Sequence, residues 1–286
     1  MDSSTVPFVG SRALACGALN RHQLRTRFRA VYPDVYLPNM ATPSLQQRIS
    51  AASLWSGGRA TIGGLAAAAL HGTKWIDDDV PVELIHANPR PPKGIAIRRD
   101  VLLDGEQQML RGLAVTSPAR TAFDLGRRDR LDQAVARLDA LSRATRLPLD
   151  AVLRVAQQHP GARGLRQLET ALELVDPGAE SPKETWLRLL ILRAGLPRPR
   201  TQIPVADADG MPFAYLDMGW DEPMVAAEYD GEHHQATRQV YTRDIHRAER
   251  LERAGWLVVR VVKEDHPVDI LRRIRLALAS RSASVR

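Results

Sequence analysis

The stretch FAYLDMGWDEPMVAAEYDGEHH, residues Phe213 to His234, puts acids where an apolar strand tolerates them least. It reads as two strands, Phe213–Trp220 and Met224–Asp230, joined by the turn Asp221-Glu222-Pro223. A hairpin turning about Glu222–Pro223 sets Asp217 directly opposite Glu228, with Cβ atoms roughly 4.5–5.5 Å apart. Like charges at that spacing repel unless a divalent cation lies between them. Mg²⁺ accepts such a site, taking one or two carboxylates together with waters and a substrate phosphate. The plainer alternative is a hairpin slipped by one residue, which turns one carboxylate to solvent. Glu228 and Asp230 share a face of the second strand, because side chains alternate. Gly231 ends that strand, and His233 and His234 follow. Two adjacent histidines alone read as an exposed loop; beside three carboxylates they read as general acid–base groups.

The rest of the chain bounds what such a hairpin can serve. At 286 residues it is long enough for two cores, and 44% hydrophobic with 26% charged residues is ordinary for a globular protein. No uninterrupted apolar run approaches the roughly 20 residues of a membrane helix, and the N-terminus lacks a signal-peptide pattern. Cys16 is the only cysteine, which excludes an internal disulfide and a zinc–thiolate cluster and fits a reducing cytoplasm. The formal net charge of +7 suits a polyanionic partner. The cations are nearly all arginine, with lysine only at Lys74, Lys93, Lys183 and Lys263, a bias that a GC-rich genome also produces.

In chain order, residues 1–40 predict a winged helix-turn-helix-like module. A short helix over Ser11–Gly17 precedes one capped by Asn20 and running to about Phe28, and Val31–Leu37 forms a wing. Arg21, Arg25, Arg27 and Arg29 would then be phosphate contacts, or solvated charges on a small docking subdomain. Residues 41–175 predict an α+β scaffold. Helices cover Ser44–Trp55 and Thr61–His71, strands Val80–His86, Gly94–Arg99 and Leu113–Thr116. A helix capped by Ser117 follows, then Arg130–Ser142, Asp150–His159 and Leu165–Leu174. Asp77-Asp78-Asp79 reads as a solvated loop, His71 as structural, and the whole segment as free of catalytic pairings. Asp176-Pro177-Gly178 marks a boundary. Residues 180–286 then read helix, three strands, helix, strand, helix. Ser181 caps the first helix, with Glu184 in its first turn as a capping-box acid. Asp244 and Arg247 share a face of the helix Arg238–Ala254.

That order resembles the PD-(D/E)XK nuclease fold, and more narrowly its very-short-patch-repair-like branch. The residues that carry the likeness are SPKE (181–184), LD (216–217), EYDGEHH (228–234), DIHR (244–247) and ERAGWLVVRV (252–261). FRAVYPDVYLP (28–38) and VTSPARTAFDLGRR (115–128) are similar, more loosely, to abortive-infection type IV antitoxins. The resemblance implies a mixed α and β chain whose C-terminal domain is restriction-endonuclease-like with a central mixed sheet. It implies Asp217 and Glu228 as ligands of Mg²⁺ or Mn²⁺, Glu184 as support, and His234 as the group that activates water. Asp230 would be a further ligand or a partner of His233 or His234, and Asp244 and Arg247 would brace the site or meet phosphate. One departure stands out: the wider fold expects lysine two residues after the strand carboxylate, where this chain has Asp230. Two functions follow as expectations: a metal-dependent DNA endonuclease in repair or phage defence, or a non-catalytic DNA-binding regulator, antitoxin-like, with a toxin partner.

Overall fold

The computed structural model describes residues 6–39, 42–88, 90–207, 209–231 and 238–283. The chain is a mixed α and β protein with three sheets and eleven helices among these residues. Two compact units divide it, Met1–Glu173 and Leu174–Arg286. No helix among the described residues is long and apolar enough to cross a membrane.

The first unit opens with β1 (Phe8–Val9), α1 (Gly10–Ala15), α2 (Arg21–Arg27), β2 (Phe28–Tyr32) and β3 (Val35–Pro38). Asn20 caps α2 through a complete capping box, its side chain accepting from the Gln23 N–H while the Gln23 side chain accepts from the Asn20 N–H. The strands pair antiparallel in the order β1-β3-β2. Next come α3 (Leu45–Trp55), β4 (Thr61–Gly63), α4 (Gly64–Leu70), β5 (Val82–Ile85), β6 (Ile95–Arg98), β7 (Gln107–Leu110) and β8 (Leu113–Thr116). Four helices complete the run: α5 (Pro118–Arg128), α6 (Leu131–Thr145), α7 (Leu149–Gln158) and α8 (Leu165–Leu174). The larger sheet has the order β6-β5-β4-β8-β7. One core joins the small sheet to the large one, with Tyr32 and Val35 packing among Leu45, Ile49, Ile62 and Leu84.

Three readings of this unit need correction. Thr61–Gly63 is not the start of a helix but the central strand of the five. The β-branched pair Thr61-Ile62 takes the extended conformation, and Gly64 turns into α4 at φ +56°, which glycine adopts without strain. β7 was not expected, because Gln107-Gln108 carries little apolar signal. Asp78 is more than solvated: its Oδ1 accepts the Leu45 N–H at the start of α3 (2.9 Å). His71 is the satisfied histidine expected, its Nε2 2.8 Å from the Thr116 carbonyl.

The second unit runs α9 (Pro182–Arg193), β9 (Arg200–Ala206), β10 (Pro212–Trp220), β11 (Val225–Tyr229), α10 (Arg238–Arg253), β12 (Leu257–Val261) and α11 (Pro267–Ala283). Its sheet has the order β12-β11-β10-β9, with the β11–β12 pair parallel and the other two antiparallel. Leu187 and Ile191 of α9 and Ile270 and Ile274 of α11 bury one face against Met218, Trp220, Val225 and Ala227. Leu251 of α10 and Trp256 cover the other, against Leu216, Ile203 and Ala226. The sheet is therefore sandwiched, as its apolar strands require.

Candidate active site

The hairpin β10–β11 pairs Met218 with Ala227, Gly219 with Ala226 and Trp220 with Val225. One step further along this register, Asp217 stands across from Glu228. The ladder gives way there to a side chain: Asp217 Oδ2 accepts the Tyr229 N–H at 2.9 Å. On its other side Asp217 falls opposite Gln202 of β9, which holds a left-handed φ of 51°. The strand carboxylate thus sits where regular pairing fails on both flanks, a common setting for functional side chains.

Glu228 is buried at 8% exposure, yet it is not unpartnered. Arg247 of α10 grips both its oxygens, Nη2 to Oε1 at 2.6 Å and Nη1 to Oε2 at 3.0 Å, and donates again to the Tyr215 carbonyl at 3.0 Å. This fork is the strongest geometry open to an arginine–carboxylate pair. The parallel partner strand brings Arg260 level with Glu228. A polar cavity of about 180 Å³ collects these groups, lined by Asp217, Glu228, Tyr229, Asp230, Asp244, Arg247 and Arg260.

The electrostatics follow from burial. Desolvation first, then the neighbouring Glu184 and Glu228 charges, push the Asp217 carboxyl up to about 7, against the opposing pull of the Tyr229 N–H and Arg247. Glu184 itself is buried near the start of α9. Its N–H donates to the Ser181 hydroxyl at 3.2 Å and its Oε2 accepts the Glu180 N–H at 2.8 Å, so it serves the cap and the site together. Hydrogen bonding to Glu228 pushes the Arg247 guanidinium further up from an already high value.

The expected site residues therefore separate. Glu184, Asp217, Glu228 and Arg247 interact directly or through their charges, and Asp230 and Asp244 line the same cavity with exposed side chains. His233 and His234 lie outside the described residues. Arg21, Arg25, Arg27 and Arg29 are exposed on α2 and β2 of the first unit. Among the described residues no group of three or more His, Cys, Asp or Glu stands ready to hold a metal ion. Arg260 escaped the reading of the sequence. Its signal was present, since a charge interrupts the apolar run Leu257–Val261.

Comparison with known proteins places the chain beside uncharacterized proteins of Mycobacterium tuberculosis. Two of them, Rv2248 of strain ATCC 25618 / H37Rv and MT2308 of strain CDC 1551 / Oshkosh, are each 31% identical over 227 residues, spanning 78% of this chain and 82% of the relative. No family model and no solved structure matches the chain. Identity at this level over most of both lengths is shared descent, and the chain belongs to the family of these mycobacterial proteins.

Proposed function

We propose that the second unit is a metal-dependent endonuclease domain acting on DNA phosphodiesters. The observation that carries this reading is the pairing of Asp217 with Glu228 in one polar cavity, with the Asp217 carboxyl pushed up to about 7 first by burial and then by the Glu184 and Glu228 charges. Acids crowded at such cost are a feature of sites made for a cation. The resemblance of α9 to α11 to the restriction-endonuclease-like fold supports the same reading.

The donor set fits Mg²⁺ or Mn²⁺, being hard carboxylate oxygens in the number Mg²⁺ usually takes from protein. Asp217 and Glu228 would hold the ion, once Arg247 yields an oxygen of Glu228. When bound, such an ion supplies charge stabilisation at the scissile phosphate and acidifies its own water. The chain's own residues do the remainder. Arg247, loosened from Glu228, would turn an N–H to a phosphate oxygen while keeping its bond to the Tyr215 carbonyl, and Arg260 lines the same cavity. Asp230 occupies the place of the fold's usual lysine, so proton transfer falls to His234. Glu184 raises the basicity of Asp217 through its charge.

The test is nicking of supercoiled plasmid with Mg²⁺ or Mn²⁺, beside EDTA and a Glu228→Ala variant. Metal-dependent nicking that disappears in the variant is expected. Absence of cleavage under either metal, with DNA binding intact, would sink the nuclease.

One observation favours a second reading, a DNA-binding regulator with antitoxin-like character. In the order β1-α1-α2-β2-β3, the short helix α2 exposes Arg21, Arg25 and Arg27, and Arg29 follows on the wing strand. A winged-helix module would use such a helix on DNA. Binding that persists without divalent metal and weakens on substituting those arginines would select it.

A further inference from the structure

The first unit holds a second polar cavity, of about 490 Å³, which the nuclease and regulator readings leave unused. Its walls come from three places: Arg99, Asp100 and Val101 after β6, Arg120, Phe123 and Arg127 of α5, and the loop from His159 to Arg163 between α7 and α8.

Behind this cavity lies a closed charge network. Arg120 is 1% exposed and bonds Glu106 (2.5 Å), Asp124 (3.0 Å) and the Val101 carbonyl (2.9 Å). Arg127 bonds Asp124 at 2.8 Å and Asp100 at 3.3 Å, and Arg128 bonds Asp100 at 2.5 Å and Glu83 at 3.0 Å. Arg98 closes the set on Glu83 at 2.8 Å. Four arginines thus meet four carboxylates, and Asp100, the only acid lining the cavity, has both oxygens engaged. Arg99 and Arg163 are left over. Neither has an acidic partner among the described residues, and both line the cavity.

His159 belongs to the same network, its Nε2 lying 2.6 Å from Glu106 Oε1. The loop that carries it is fixed. A Cβ on Gly164 (φ +85°) would fall 2.2 Å from the Arg127 carbonyl oxygen, so the backbone at the loop's end lies against the end of α5. The cavity is preformed and carries an excess of two positive charges. Its volume lies in the range of about 300–1,000 Å³ typical of small-ligand sites, well above what a bare anion fills.

We propose that this cavity binds a small phosphomonoester. The phosphate dianion matches the two uncommitted guanidinium forks in charge and geometry. A carboxylate has one charge and two oxygens to offer, whereas the phosphate dianion brings two charges and three oxygens to the two forks. The organic body lies along Val101 and Ala162.

Phosphate chemistry also occurs in a DNA backbone, and the experiment separates the two sources. Ribose 5-phosphate, inorganic phosphate and a short DNA duplex are titrated calorimetrically into the full chain at low salt. The same titrations follow on Arg99→Ala, Arg163→Ala and the double variant. Both side chains are exposed, so the fold survives, which an unchanged thermal melt verifies. Ribose 5-phosphate should bind more tightly than inorganic phosphate and lose about tenfold with each arginine, one charge-assisted hydrogen bond apiece. Absence of binding to the full chain, or binding that survives the double substitution, overturns the proposal. So does a duplex that alone binds and alone weakens in the double variant, since the phosphate would then belong to a polynucleotide.

Discussion

Asp217 is the side chain with the most to reveal. A carboxyl pushed up to about 7 in the fold and near 3.8 when unfolded makes the folded state bind more protons between those values. Its contribution to stability is therefore full below about pH 4 and lost as pH rises through 7. Asp217→Asn copies the protonated form and keeps an oxygen for the Tyr229 N–H. The variant should match the parent near pH 3.5 and melt increasingly above it as pH rises to 8, which thermal melts across that range would register. The same shift gives cation binding a sign. Because the ligand must lose its proton, Mn²⁺ affinity should climb as pH rises through about 7, and calorimetry at pH 6 and 8 would show it. Arg247→Ala takes both hydrogen-bond partners from a buried carboxylate. A loss of about 1–3 kcal/mol in urea unfolding is expected, less than for a fully buried pair because Arg247 is one-third exposed. The Asp217–Glu228 pairing was legible because strand alternation and a turn residue together determine register. The grip of Arg247 was not, since it depends on how α10 crosses a sheet 19 residues away in the chain.

Strands and helices declared themselves in proportion to their apolar pattern. The seven elements from α9 to α11 follow the expected order, with Ser181 capping α9 and Gly255, at φ +88°, following α10. β4 hid inside an alanine-rich stretch whose composition favours helix, and only its place at the centre of a sheet overrides that preference. Hairpin β10–β11 also carries a requirement invisible to pattern. A Cβ on Gly219 would meet the Val225 carbonyl oxygen at 2.4 Å and the Ala226 Cα at 2.9 Å, both backbone. Gly219→Ala should cost about 1–3 kcal/mol or more in denaturant unfolding, and disturb the strand that carries Asp217.

Across the chain, an excess of +7 from arginine-rich surfaces predicts association governed by salt. If α2 contacts DNA, Arg21→Ala and Arg25→Ala should each flatten the slope of log affinity against log salt by about 0.9, read from anisotropy titrations. Their loss should weaken all sequences alike, since phosphate contacts position rather than specify. The four-by-four network of the first unit bears on descent. Removing Arg120 alone takes a partner from Glu106 and from Asp124, both at 2% exposure or less, and leaves them to His159 and to Arg127 and Arg128, while removing either acid leaves Arg120 the other. Each single step therefore leaves a buried charge short of a partner, and double-mutant cycles would report coupling across the shared bonds. A lineage leaves such an arrangement most readily by changing several codons together, so these charges should drift as a block.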